Sequence, residues 1–220
     1  MVISSMKLAR IISLISLIFI SSALKAQSFE GQINYKINYL ELPANVKGME
    51  SMLPQVLEMS IKGNQIAMKQ ELMGGTQTIL SNGETEESVI LMDMMGQKIA
   101  IMMTKEEAKK AREELGEPEF SYLDGTKEIA GFKCSKAIMK TGDQEIELWY
   151  TKDIAGAVHK DFADLDGFPL EYLTYSQGMK LSIVAETVLI GEQEDTNFTV
   201  PEGYNKMSMT EFSQLMGQGN

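Results

Sequence analysis

From Phe29 to Tyr39 the chain alternates without a break: Phe29, Ile33, Tyr35, Ile37 and Tyr39 are apolar with Gly31 between them, while Glu30, Gln32, Asn34, Lys36 and Asn38 are polar. A period of two is the pattern of a strand with one dry face. Pro43 to Pro54 breaks it with turn formers and two Met, and reads as a loop or short irregular helix over one end of a sheet. Further along, Gly-bearing turns predict registers, because a two-residue hairpin loop decides which residues face each other. A turn at Gly63-Asn64 sets Ile61 opposite Ile66 and Met59 opposite Met68, with Glu58 opposite Lys69 on the other side. One at Gly96-Gln97 gathers Ile90, Met92, Met94, Ile99, Ile101 and Met103 on one face and leaves Asp93 and Lys98 on the reverse. One at Gly142-Asp143 aligns Met139 with Ile146 and Ala137 with Leu148, and opposes Lys140 to Glu145 and Lys136 to Trp149, a cation–π pairing. The pattern repeats at Gln177-Gly178, where Tyr172 faces Ile183 and Leu170 faces Ala185. Gly74-Gly75 fits less well, since a tight turn there sets Leu72 against Gln77, and it predicts a longer loop or a bulge. Asn82-Gly83 marks one more hairpin.

Two segments read as helix. Thr104 with Glu107 makes a capping box that opens Lys105 to Leu115, and Gly116 with Pro118 ends it. Near the C-terminus a short helix starts at Ser208 or Thr210, with Phe212, Leu215 and Met216 inward. Strands joined by tight hairpins leave no room for the crossovers of a parallel sheet. The expected fold is therefore mainly β: a curved antiparallel meander of roughly nine to eleven strands that must close into a barrel or fold around something, with the helices as candidate filler.

Lys7 and Arg10 precede the apolar run Ile11 to Ile20, and the small residues Ser21, Ser22 and Ala23 follow. These are the three regions of a secretory signal peptide, and the run is shorter than the roughly 20 residues that cross a bilayer. The expected organisation is a signal peptide over 1–26 and a single domain over 27–220, periplasmic or secreted, with no transmembrane segment after cleavage. Cys134 is the sole cysteine, so no internal disulfide forms and packing must supply the stability. Loss of the leader leaves 17 basic residues against 31 acidic ones and a single Arg, Arg112. That balance argues against nucleic acid, which needs clustered cations.

Chemistry is sparse. The one histidine, His159, sits in a stretch that reads as surface connection, so a nucleophile activated by imidazole or a multi-histidine zinc site has little to draw on. The carboxylates at Glu84, Glu86 and Glu87, and at Asp161, Asp164 and Asp166, read as solvated surface, and the second group lacks the ligand order of an EF-hand. No enzyme activity and no cofactor are expected. What stands out is methionine, 17 in all, many on the predicted dry faces. Thioethers are flexible and polarisable and suit a surface that accommodates different apolar partners. The candidate ligand-binding residues of an apolar concavity are Met59, Ile61, Ile66, Met68, Met92, Met94, Ile99, Ile101, Met103, Leu148, Tyr150 and Tyr172. Thioethers also bind Cu(I), and Met92, Met94, Met95, Met102 and Met103 cluster around one predicted hairpin.

Four blocks carry a resemblance: Phe29 to Tyr35 (FEGQINY), Lys127 to Lys133 (KEIAGFK) leading through Cys134 to Glu147-Leu148-Trp149-Tyr150-Thr151, Gly167 to Glu171 (GFPLE), and Phe198 to Tyr204 (FTVPEGY). In these the chain resembles a group of exported proteins of Gram-negative bacteria built on a domain of unknown function. That group is itself similar to the outer-membrane lipoprotein carriers LolA and LolB. The resemblance implies an unclosed, strongly curved antiparallel sheet whose helices plug an apolar concavity able to hold acyl chains. No functional residue transfers by position. The reading that follows is an exported, non-enzymatic protein binding a lipid, a lipidated peptide or another apolar ligand. The alternatives are a structural or interaction module with a self-filled core and, third, Met-based copper binding.

Overall fold

The computed structural model describes residues 28–217 apart from 143, 158 and 177, so the expected leader, 1–26, lies outside the described residues. In chain order the elements are β1 (Glu30–Glu41), β2 (Val56–Lys62), β3 (Gln65–Leu72), β4 (Gly75–Asn82), β5 (Glu87–Met94), β6 (Gln97–Met103), α1 (Lys105–Leu115), β7 (Glu119–Ile129), β8 (Phe132–Thr141), β9 (Gln144–Thr151), β10 (Phe168–Ser176), β11 (Met179–Ile190), β12 (Asn205–Ser208) and α2 (Met209–Gly217). All twelve strands join one unclosed sheet in the order β12-β6-β5-β4-β3-β2-β1-β11-β10-β9-β8-β7. The expected nine to eleven strands fall one short. The extra strand is β12, four residues that return to lie parallel to β6 with Met207 beside Ile101, a pairing no hairpin signals.

Registers follow the side-chain logic of the sequence. Ile61 lies opposite Ile66, Met59 opposite Met68 and Glu58 opposite Lys69. Met139 lies opposite Ile146 and Ala137 opposite Leu148, and Tyr172 opposite Ile183. Two turns differ. The β5–β6 turn is Met95-Gly96 rather than Gly96-Gln97, so Met92 faces Ile99 and Asp93 faces Lys98. Both turn residues have positive φ, 52° and 82°, the paired left-handed geometry that matches strand twist. The twist outweighs the reluctance of Met to adopt that backbone. Because partners shift by two residues, every side chain keeps its face. The β3–β4 turn is a tight Met73-Gly74, with Leu72 opposite Gly75, in place of the longer loop or bulge.

Thr104 and Glu107 cap α1 reciprocally, as expected: the Glu107 N–H donates to Thr104 Oγ1 at 3.2 Å and the Thr104 N–H to Glu107 Oε2 at 2.8 Å. The helix also measures the curvature of the sheet. Lys105 at its start pairs with Glu86 beside β5 at 2.7 Å. At its end, a Cβ on Gly116 would lie 3.9 Å from the Gly142 nitrogen in the β8–β9 turn. Eight inter-strand steps separate β5 from β8, about 38 Å on a flat sheet. An 11-residue helix covers about 16 Å. The two wings are therefore folded toward each other. The same curvature lets Ile66 and Met68 on β3 share one core with Ala137 and Met139 on β8.

The filling of that core comes mainly from the connection between β9 and β10. Ile154, Phe162 and Leu165 of this connection, with a 3-10 turn at Lys160–Phe162, are buried against β1, β2, β3 and β8–β11. The two α-helices lie instead toward the β5–β6 side, and in α2 Leu215 is exposed rather than inward. A second, smaller core occupies the reverse face, where Ala67, Leu80, Leu91 and Ala100 are covered by Phe198, Val200 and Tyr204 of the segment leading to β12.

Candidate functional site

One face of the sheet carries an apolar row that crosses six adjacent strands: Ile33, Met59, Met68, Ile79, Ile90 and Ile101 stand opposite one another in turn. All twelve predicted site residues are apolar or aromatic, and the structure divides them. Met59, Ile61, Ile66, Met68, Leu148, Tyr150 and Tyr172 are buried in the principal core. Ile101 is buried as well, on the β6 side. Met92, Met94, Ile99 and Met103, on β5 and β6, are only half-buried, as are Ile79 and Ile90 in the shared row. The curved face thus has a packed half centred on β1, β2 and β8–β11, and a more open half on β4–β6.

In the packed half, aromatic rings meet edge to face. Tyr172 lies 6.3 Å from Tyr35 and 4.9 Å from Phe162, and Tyr122 lies 5.7 Å from Tyr150. The Tyr35 hydroxyl donates to the Pro169 carbonyl at 2.9 Å, which satisfies a fully buried polar group. Burial pushes the Tyr35 and Tyr172 phenols well above the ordinary tyrosine range, Tyr35 helped by its neighbour Tyr172 and Tyr172 by the charge of Asp161. The two therefore remain neutral through the physiological range.

His159 is buried and not on a surface connection, which corrects the sequence reading. Its ring packs against Phe162, Phe168 and Tyr172 at 5.1, 6.0 and 5.8 Å, and its Nδ1 accepts the Asp161 N–H at 3.3 Å. The stretch misleads because its polar residues, Lys152, Asp153, Asp161, Asp164 and Asp166, are all exposed and outnumber the inward ones. Cys134 is also buried; its thiol donates to the Phe132 carbonyl at 3.5 Å, and burial raises it to about 11, Lys127 opposing in part. Among the described residues no three His, Cys, Asp or Glu converge as a metal site.

The methionine cluster expected for copper is dispersed. Met102 points to the reverse face from Met92, Met94 and Met103, and Met103 ends β6 at the opposite end from the Met95-Gly96 turn. Trp149 lies beneath two ammonium groups, Lys127 at 4.4 Å and the expected Lys136 at 5.7 Å. Each is also held by a carboxylate, Glu171 at 2.6 Å and Glu147 at 2.8 Å, so the group knits β7–β10 together on the outer surface.

A single curved, unclosed and mostly antiparallel sheet with an apolar inner face is the class of protein these observations define. The chain belongs to the family described as Domain of unknown function (DUF4412), whose model matches residues 29–159. No curated protein matches the sequence. Among solved structures, PNGF-II aligns with a TM-score of 0.54 at 14% identity, over 87% of this chain and 34% of its own, so the chain spans about a third of that protein's length. MucB aligns at 0.36 with 11% identity over 80% and 58% of the two chains, and LprF from Mycobacterium bovis at 0.34 with 13% identity over 82% and 93%. At this identity the PNGF-II match speaks to fold alone. Among the described residues no helix is long and apolar enough to cross a membrane.

Proposed function

We propose that the protein is exported and binds an apolar molecule, a lipid or a lipidated peptide, on the open half of its curved face, and that it performs no chemistry. The observation that supports this most is the run of half-buried side chains Ile79, Ile90, Met92, Met94, Ile99 and Met103, continuous with the sealed core. Completing the burial of such side chains yields about 25 cal/mol per Å² of apolar area removed from water, and an acyl chain supplies that cover without needing polar partners. The sequence of residues 1–26 supports export. The aromatic packing around His159 and the raised thiol of Cys134 suit structural rather than catalytic roles.

Native mass spectrometry of protein purified from its own envelope tests the reading, together with uptake of a fluorescent fatty acid. Co-purifying lipid, and uptake weakened at least several-fold by Met92→Lys or Ile99→Lys, are the expected results. Protein that carries no apolar molecule and takes up no probe contradicts it. A second reading, an interaction module filled by its own side chains, is favoured by the tight packing of Met59, Ile61 and Leu148. It predicts that the lysine variants bind the probe no differently from the parent.

A further inference from the structure

The cover laid over the packed half is held by a group that titrates. His159, the sole histidine, is 3% exposed, and its ring is enclosed by Phe162 of its own connection at 5.1 Å and by Phe168 and Tyr172 of β10 at 6.0 and 5.8 Å. Its Nδ1 accepts the Asp161 N–H at 3.3 Å and so caps the 3-10 turn Lys160–Phe162. That turn seats Phe162, and the Leu165 N–H donates to the Phe162 carbonyl at 3.1 Å. Two of the side chains that fill the principal core therefore depend on the cap.

The hydrogen bond decides where a further proton goes. A neutral imidazole has one donor nitrogen and one acceptor; with Nδ1 accepting, the ring proton is on Nε2 and only Nδ1 can take another. Once protonated, Nδ1 is a donor facing the Asp161 N–H, and the cap is lost. The charge also falls on a ring withdrawn from water. The titratable groups that face this ring are Tyr172 of β10 and Asp161 of its own turn, with Tyr35 of β1 and Cys134 of β8 behind Tyr172. Burial keeps both phenols neutral, so neither supplies a counter-charge. Asp161 lies near enough for its charge to act on Tyr172, but it is exposed, and water screens what it returns to a buried cation. Lys152, Asp153, Asp164 and Asp166 of the same connection are exposed as well.

The connection also has room to move. A hollow of about 210 Å³ lies within it, lined by Ile154, Phe162 and Leu165 and by Lys152 and Asp166, which form an ion pair. Gly156 and Gly167 stand on either side of the turn with positive φ, 80° and 150°, and give the segment pivots at both ends.

We propose that His159 is an acid-operated latch: a proton taken up at Nδ1 releases the 3-10 turn and lifts the β9–β10 connection from the packed half, uncovering Tyr35, Tyr172 and the apolar side chains beneath. No covalent step is involved. The latch acts on the packed half, so it does not depend on a ligand occupying the open one.

Hydrogen exchange of the full mature chain tests the proposal, measured at pH 7.5 and 5.5, on either side of the ordinary histidine value of about 6.5, and corrected for intrinsic exchange. Opening of residues 154–166 should rise about five- to tenfold, the most that one proton gives across that range, while β4–β6 keep their protection. NMR of the ring nitrogens should show Nδ1 unprotonated and Nε2 protonated at pH 7.5. His159→Asn offers an oxygen acceptor for the same cap and takes no proton, so its opening should be equal at the two pH values. Opening that does not change with pH in the parent, an equal rise in the Asn variant, a ring proton found on Nδ1 at pH 7.5, or a ring protonated at pH 5.5 with protection intact overturns the proposal. The last two are read on the parent alone and stand even if the variant does not fold.

Discussion

The two halves of the curved face share one hydrophobic row yet differ in what completes them. Met59 and Met68 are sealed, with the β9–β10 connection laid across the same core, whereas Ile79 and Ile90, next in the row, remain half-buried. Strand pattern sets which side chains share a face; the cover laid over that face sets whether it becomes core or surface. The packed half therefore holds the fold, and the open half is where the proposed ligand would sit.

Truncation gives the largest contrast. Leu148→Ala in the packed half should cost about 3–4 kcal/mol by urea denaturation, because its neighbours cannot collapse into the space left. Ile99→Ala in the open half should cost about half as much, since part of its side chain already meets solvent. Equal costs at the two sites would erase the distinction. A loss of about 1–2 kcal/mol is expected for Tyr35→Phe, which leaves the Pro169 carbonyl without its donor. An unchanged urea midpoint would show that this hydrogen bond does not help to hold the packed half.

Smallest at neutral pH is the effect of thiol and phenol titration, which becomes visible only in alkali. Cys134, Tyr35 and Tyr172 all have folded pKa values raised above their ordinary ones. Between the ordinary and the raised value the folded chain holds more protons than the unfolded chain, so stability falls as pH rises. For Cys134 the window runs from 9.0 to about 11, and for the tyrosines it opens above 10.0. Urea midpoints measured from pH 8 to 11 should decline, and Cys134→Ala should flatten the lower part of that decline. A midpoint independent of pH over this range would contradict the burial of these groups.

How much of this was legible depends on how local the cause is. Met59 with Met68, and Glu58 with Lys69, could be paired on paper because a two-residue turn carries its own register. The capping box of Thr104 and Glu107 is likewise complete within four residues. At Met95-Gly96 the turn position was missed, yet the face survived because a shift of two preserves alternation. The cover over the packed half was not legible: Ile154, Phe162 and Leu165 are scattered through a polar stretch, and their burial depends on a hollow made by distant strands. For the same reason the sequence grouped all twelve candidate site residues as one concavity and did not separate those that face it open from those that are filled in.

The short parallel strand at the C-terminus has a bearing on solubility. An unclosed sheet has two borders, and each exposes backbone groups on which further copies can assemble edge to edge. Residues Asn205–Ser208 occupy one border, beside β6. The other, β7, is interrupted by an irregularity between Leu123 and Thr126 and carries Glu119, Asp124, Lys127 and Glu128. Charge and a broken ladder discourage a neighbouring chain from extending it. The protein thus keeps a wide, incomplete barrel from becoming a template for its own aggregation.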